Sequence, residues 1–317
     1  MSIALIIKNE IIDGHFHKEC CKKAFLSGVM RGVGNLKLTK DGFGIIIQHP
    51  SKKLIEKCAS IITSLTGCCA DIVEKNKHQS LGERQVFELR LNENTSDGLL
   101  NSIGITKGGV ILNDTTPADL FKKDCCRKSY LQGIFVTVGT LTISGENDDS
   151  KSSGYLLEIT LTDDVIATAI LAMMEEVKIH AKLRIKKNHA VIYIKDSQTI
   201  SDFCAYIEAG EGYFALQNVI ISRDCKNNIT RKVNWEMANL DRSLTASQKQ
   251  LEAIITLEST IGLKNLEEPL REVARARLEN PSANMSELLT KVANAPSKSG
   301  LIHRMRKLIE MADDTNH

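Results

Sequence analysis

The sequence predicts an α+β chain: a duplicated α-β-β-α-β-β-α domain with pseudo-twofold symmetry, followed by an all-α domain. Three observations predict it. The phrase CCKKAFLSGVMRGVG at 20–34 returns as CCRKSYLQGIFVTVG at 125–139, 105 positions later. Each copy is followed by two alternating apolar runs, a stretch with helical spacing, and two further alternating runs. Beyond about residue 234 the alternation stops, and only helical spacing remains.

The elements can be justified in order. After the first helix, NLKLTKDGFGIIIQ alternates and turns at Asp41-Gly42, as a β-hairpin does. SKKLIEKCASIITSLTG places Leu54, Ile55, Cys58, Ile61, Ile62 and Leu65 on one helical face. CADIVE and QVFELRL read as strands separated by a long polar turn, and a short helix near 95–103 closes the first half, residues 1–104. A linker spans 105–120. The second half, 121–208, repeats the order: a helix at 124–137, TLTIS, the loop GENDDSKSSG, GYLLEITL, a helix at 163–177, strands HAKLRIKK and AVIYIK, and a helix around 197–208.

Gly28 and Gly133 sit in the middle of the repeated helices, where glycine costs about 1 kcal/mol relative to alanine. That cost is offset if the two helices cross there and their backbones approach closely, so both glycines are expected at a helix interface. Gly34 and Gly139 fall where each chain leaves its helix for a strand.

Residues 209–233 show no sustained period and read as a second linker, leaving 234–317 as a helical domain. A helix starting at Asn234 carries Trp235, expected as a packing anchor beside Met237 and Leu240. Three helices end the chain, with a helix-turn-helix at about 269–310. Pro269 suits a first helical turn, Leu270, Val273, Ala274 and Leu278 form one apolar face, and Asn280-Pro281 stops the helix. Met285, Leu288, Leu289, Val292 and Ala293 form the next face, and Asn294-Ala295-Pro296 turns the chain.

In the last helix, capped by Ser297 or Ser299, the residues Leu301, Ile302, Met305, Leu308 and Ile309 line one side. Ser299, His303, Arg306 and Lys307 lie opposite, with Lys298 at the start and Arg304 on the flank. Between 297 and 309 there are four Lys/Arg and no acid. A major groove accepts such a helix, whose early residues reach base edges while cations hold phosphates. Ser297, Lys298, Ser299, His303, Arg304, Arg306 and Lys307 are therefore the candidate contacts with double-stranded DNA. Lys182, Arg184 and Lys186 alternate with apolar residues and offer a secondary DNA surface, joined by Lys37 and Lys40. An edge strand that is merely solvated fits the same pattern.

Composition limits the field. The formal charge is only +2, with 25% charged and 42% hydrophobic residues, so any nucleic-acid surface must be a local concentration of charge. MSIALIIKNEIIDG lacks the basic flank and long apolar core of a secretory leader, and no segment approaches a membrane span. A cytoplasmic, nucleoid-associated chain without membrane partners is expected. The nine cysteines include the adjacent pairs Cys20–Cys21, Cys68–Cys69 and Cys125–Cys126 and no C-x-x-C. Zinc through the pairs and packing as small apolar side chains are both open. We assign no metal ligand and no cofactor.

The repeated phrase resembles the LAGLIDADG homing-endonuclease motif, lying over Leu26–Gly34 and Leu131–Gly139. The resemblance implies two helices packed side by side between two antiparallel sheets. It also places the metal-binding acid of the active enzymes at Val33 and Val138, and the earlier acidic position at Arg31 and Val136. Two-metal phosphodiester hydrolysis needs those carboxylates, so a protein without nuclease activity is expected. With NWEMANLDRSLTASQKQLEAI and PSKSGLIHRMRKL added, nearly the whole chain resembles the WhiA family of bacterial regulators. That implies transcription control linked to cell division, chromosome segregation or, in some lineages, sporulation. RNA polymerase or another transcription regulator is then a further candidate partner. A LAGLIDADG-type nuclease and an RNA-binding maturase are the alternatives.

Overall fold

Ser2 accepts a hydrogen bond from the Leu5 amide and starts α1 (Ile3–Asp13), which the apolar run at the N-terminus did not suggest as an element. Its Ile7, Ile11 and Ile12 are buried. The computed structural model describes residues 2–40, 42–79, 82–108, 110–112, 121–144, 154–293 and 297–315, with 76–79 and 82–84 described by backbone alone. The expected turn residue Asp41, most of the first linker, nearly all of GENDDSKSSG and the Asn294-Ala295-Pro296 turn lie outside these. Two compact units divide the chain, residues 1–221 and 222–317.

In the first unit the order written twice in the sequence is present twice. The first half holds α2 (Glu19–Val33), β1 (Gly34–Thr39), β2 (Gly42–His49), α3 (Lys52–Thr66), β3 (Asp71–Gln79), β4 (Gly82–Leu91) and α4 (Glu93–Ser102). A small hairpin, β5 (Thr106–Lys107) with β6 (Val110–Ile111), follows. The second half holds α5 (Asp124–Val138), β7 (Gly139–Ser144), β8 (Gly154–Leu161), α6 (Asp164–Glu176), β9 (Lys182–Lys186), β10 (His189–Ile194) and α7 (Ser197–Tyr206). Each half forms a four-stranded antiparallel sheet, ordered β1-β2-β4-β3 and β7-β8-β10-β9. The long polar turn expected between CADIVE and QVFELRL is instead ladder, with Gln79 opposite Gly82. Antiparallel pairing is satisfied by backbone groups and tolerates polar side chains.

The repeated helices α2 and α5 meet at their central glycines. A methyl group on Gly28 would collide with the Tyr130 carbonyl oxygen and lie 3.2 Å from Gly133 Cα. One on Gly133 would collide with the Phe25 carbonyl and lie 3.2 Å from Gly28 Cα. The contacts are reciprocal across the repeat, as a pseudo-twofold axis requires. Phe25, Leu26, Val29, Tyr130, Leu131, Ile134, Phe135 and Val136 fill the core around the crossing. At the helix exits Gly34 and Gly139 are extended, not left-handed (φ −72° and −76°). A side chain at Gly34 would lie 2.6 Å from the Met30 carbonyl oxygen and one at Gly139 equally close to that of Phe135, so the turn of helix behind them leaves no room.

Residues 209–233 are not a linker of irregular chain, and no helix starts at Asn234. Both belong to α8 (Gly210–Thr260), a single helix of 51 residues. The segment has no proline, and glycine only at 210 and 212, so nothing interrupts it. Trp235 is 67% exposed, with Met237, Leu240, Ile229 and Val233 also exposed. The anchor reading of Trp235 is thereby overturned: the core of the second unit begins at Ala253, well after it. Ile254 and Leu257 enter that core while Ile255 faces out. They pack with residues of α9 (Glu268–Glu279), α10 (Met285–Leu289) and α11 (Lys298–Thr315). No helix among the described residues is long and apolar enough to cross a membrane.

Candidate nucleic-acid interface

Pro269 stands in the first turn of α9, and Leu270, Val273 and Ala274 face the core. The fourth member of that face is Arg277, not Leu278. Arg277 is only 1% exposed, whereas Leu278 faces solvent. Its guanidinium donates to the carbonyls of Ala283 (2.5 Å), Asn280 (3.3 Å) and Pro281 (3.4 Å), and approaches Met285 Sδ at 3.6 Å. Burial pushes the guanidinium's pKa below its ordinary value. A buried cation is tolerable here because carbonyls of the turn after α9 accept from it, that of Asn280 also accepting from the Ala283 amide. Arg277 therefore fixes the turn between α9 and α10. Its signal was present in the sequence: 270, 273, 274 and 277 keep helical spacing, and the residue type concealed it.

The next two helices start on side-chain caps. Asn284 accepts from the amides of Ser286 (2.9 Å) and Glu287 (3.0 Å), while Glu287 accepts from the Asn284 amide, a reciprocal capping box. Ser297 accepts from the Gly300 amide at 3.1 Å and lies 2.9 Å from the Ser299 hydroxyl. Lys298 donates to Ser286 Oγ at 2.8 Å, linking the starts of α10 and α11.

On α11, Leu301, Met305, Leu308 and Ala312 are buried. Ile309 is half-buried, and Ile302 is 40% exposed and so leaves the apolar face on which spacing placed it. Ser297, Lys298, Ser299, His303, Arg306 and Lys307 are exposed and Arg304 is half-buried. Lys307 stands 3.5 Å from Glu267. Lys298, Ser299, Ile302, His303 and Arg306 share one solvent face over the first turns of the helix. That face offers cations, hydroxyls and one branched apolar side chain, the set that can hold phosphates and touch base edges and thymine methyls.

β9 is an edge strand, and Lys182, Arg184 and Lys186 are exposed on it. The Arg184 guanidinium lies 5.0 Å from the Tyr193 ring centre. Ile185, expected on the apolar face, is exposed at the hairpin end of this edge. Lys37 and Lys40 are exposed in the other half.

At the C-terminal ends of α2 and α5, Val33 and Val138 are half-buried and pack against the core. At the earlier acidic position of the motif, Arg31 donates to the carbonyls of Leu112 (2.7 Å) and Gly104 (3.4 Å), and Val136 is fully buried. Glu19 pairs with Lys23 at 2.6 Å, one turn further along α2.

The opposite ends of the same helices bring together Cys20, Cys21, Cys125 and Cys126, whose sulfurs all lie within 4.8 Å of one another. Adjacent spacing alone does not show which pairs meet. The signal that joins them is their equivalent place in the repeat, at the starts of helices that cross at Gly28 and Gly133. Cys58 and Cys204 are isolated core residues, and burial pushes each thiol up to about 12.

Three family models match in succession: the WhiA N-terminal LAGLIDADG-like domain over residues 19–106, the WhiA LAGLIDADG-like domain over 127–226, and the WhiA C-terminal HTH domain over 229–312. The chain is 32% identical over 313 residues to a "Probable cell division protein WhiA" of Desulfitobacterium hafniense, covering 99% of this chain and 96% of that one. It is 33% identical over 314 residues to a protein of the same description from Staphylococcus epidermidis, covering 99% and 97%. Among solved structures, the full-length DUF199/WhiA from Thermatoga maritima shares the fold, with a TM-score of 0.57 at 20% identity over 97% of this chain and 96% of that chain. With identity at this level sustained from end to end across both LAGLIDADG-like halves and the helix-turn-helix, the chain belongs to the WhiA family.

Proposed function

We propose that the protein is a non-catalytic DNA-binding regulator whose helix α11 enters the major groove. One observation carries the reading: a capped helix, third in a helix-turn-helix, buries Leu301, Met305 and Leu308 and turns Lys298, Ser299, Ile302, His303 and Arg306 to solvent. Lys298, Arg306 and Lys307 hold phosphates. Ser299, Ile302 and His303 face the bases, while Ser297 and Arg304 set and flank the helix start. The strand bearing Lys182, Arg184 and Lys186 adds a second contact with the duplex. Relatives described as probable cell division proteins support a role in cell division, with chromosome segregation and, in some lineages, sporulation as its finer setting. RNA polymerase or another transcription regulator is the protein partner of such a role, and the nucleoid its place.

The non-catalytic part rests on Val33 and Val138. Hydrolysis assisted by two metals needs carboxylates beside the scissile phosphate, and valine supplies no ligand. Genome-wide mapping of bound DNA in cells tests the proposal. Discrete sites that vanish for Lys298→Ala/Arg306→Ala are expected, and unchanged occupancy would remove α11 as the reader. Plasmid incubated with the purified protein and Mg²⁺ or Mn²⁺ is expected to stay uncut. Cleavage abolished by substitutions in α2 and α5 would return the chain to the nucleases.

A further inference from the structure

We infer that Cys20, Cys21, Cys125 and Cys126 form a tetrathiolate site for a single soft divalent ion, zinc by preference, that clamps the starts of α2 and α5 together. The four sulfurs lie within 4.8 Å of one another, with Cys125 and Cys126 Sγ 4.0 Å apart. A tetrahedral zinc centre with bonds of about 2.3 Å needs sulfurs about 3.8 Å apart, so small side-chain rotations close the cage. Each helix gives two ligands from its first turn, and the pairs occupy equivalent positions of the repeat. The crossing at Gly28 and Gly133 holds the helices too close for these ends to separate freely.

The helix starts favour thiolates, while burial works against them at Cys21 and Cys126 and pushes both thiols above the ordinary value, so binding must displace their protons. Both pairs sit at helix N-termini, where free amides and the helix dipole favour negative charge. Lys18 and Lys123 occupy the N-cap positions beside them. Cys21 and Cys126 are buried, while Cys20 and Cys125 are partly accessible. A cleft lined by His15, His17, Lys18, Cys21, Cys125 and Lys128 leads to the cluster and gives an ion a way in. Binding releases the thiol protons to solvent, and no redox step is involved. The clamp is structural: four protein ligands close the coordination shell, leaving no open position for chemistry.

The test uses the full-length protein, purified under reducing conditions without chelator. Elemental analysis is expected to find one zinc per chain. Replacing the zinc with cobalt(II) is expected to give the strong visible bands and sulfur-to-cobalt charge transfer of a tetrahedral thiolate site. Cys20→Ser/Cys125→Ser is expected to lose both signals, and Cys68→Ser/Cys69→Ser, at an exposed pair, to keep them. If the first variant does not fold, the native protein still decides. Chelation is then expected to expose four additional thiols to a thiol reagent and lower the melting temperature. Absence of zinc with no cobalt spectrum would overturn the assignment, as would zinc retained by the first variant. So would a disulfide between the two pairs in protein isolated from the cytoplasm.

Discussion

Helices α5 and α11 both mix polar and apolar residues, and they end in opposite environments. Along α5, every residue from Ser129 to Val136 is buried, and its centre touches backbone of α2 through Gly133 and Gly28. Along α11, one stripe is buried and the rest of the surface carries Lys298, Ser299, His303, Arg306 and Lys307. The difference teaches where function can reside. A stretch closed on all sides, as at Ser129–Val136, can brace a scaffold and cannot reach DNA, while a helix open on one face is held by its core and free to bind on the other.

The strongest way to break this contrast is to open the closed helix. Gly133→Val is expected to destabilise the first unit by about 3 kcal/mol or more, because the new side chain meets the Phe25 carbonyl and the Val29 amide, which are backbone and cannot turn away. Chemical denaturation measures it, and a near-neutral change would mean that the helices do not touch there. Next in size is Arg277→Ala. Removing the donor to the Ala283 and Pro281 carbonyls costs about 1–3 kcal/mol, and it loosens the turn that sets α10 before α11. Duplex binding is expected to fall together with the melting temperature, although Arg277 itself faces no DNA.

Smaller effects sharpen the same contrast. Glu88 is buried, and burial alone would raise its pKa, but hydrogen bonds from Lys75 (2.8 Å), Arg90 (2.5 Å) and Gln48 outweigh it and hold the carboxyl down at about 2. A depressed folded-state value means that its stabilisation is complete above the ordinary carboxylate range and is lost as pH falls toward about 2. Glu88→Gln is expected to flatten this part of the acid unfolding curve, followed by circular dichroism. Trp235→Ala is expected to change stability by no more than about 0.5 kcal/mol, since the ring is exposed. Its native fluorescence is expected to be that of a solvated indole, and blue-shifted emission would put the ring in a core.

Much of this was legible beforehand. The repeat of CCKKAFLSGVMRGVG gave the element order of both halves, because alternation and helical spacing are local properties of the chain. The buried and capping positions of α11 followed from Leu301, Met305, Leu308 and Ser297. What escaped depended on the folded chain and not on local spacing. Trp235 looked like a core residue because its neighbours are apolar, yet no core reaches that part of α8. Arg277 escaped because an arginine is not expected on an apolar face, and only the folded turn supplies its three carbonyls. The four cysteines look like two ordinary pairs until α2 and α5 cross. Ile302 kept the spacing of an apolar face and still turned out, since α11 buries a narrower stripe than its pattern allows.

The assignment of DNA contact to α11 is tested most directly by titrating the full-length protein with duplex DNA over a range of salt concentrations, beside Lys298→Ala/Arg306→Ala/Lys307→Ala. Binding is expected to weaken in the triple variant, and the slope of log K against log salt to shrink by about one for each lost phosphate contact, about three in all. Equal affinity and equal slope in the two proteins would contradict it.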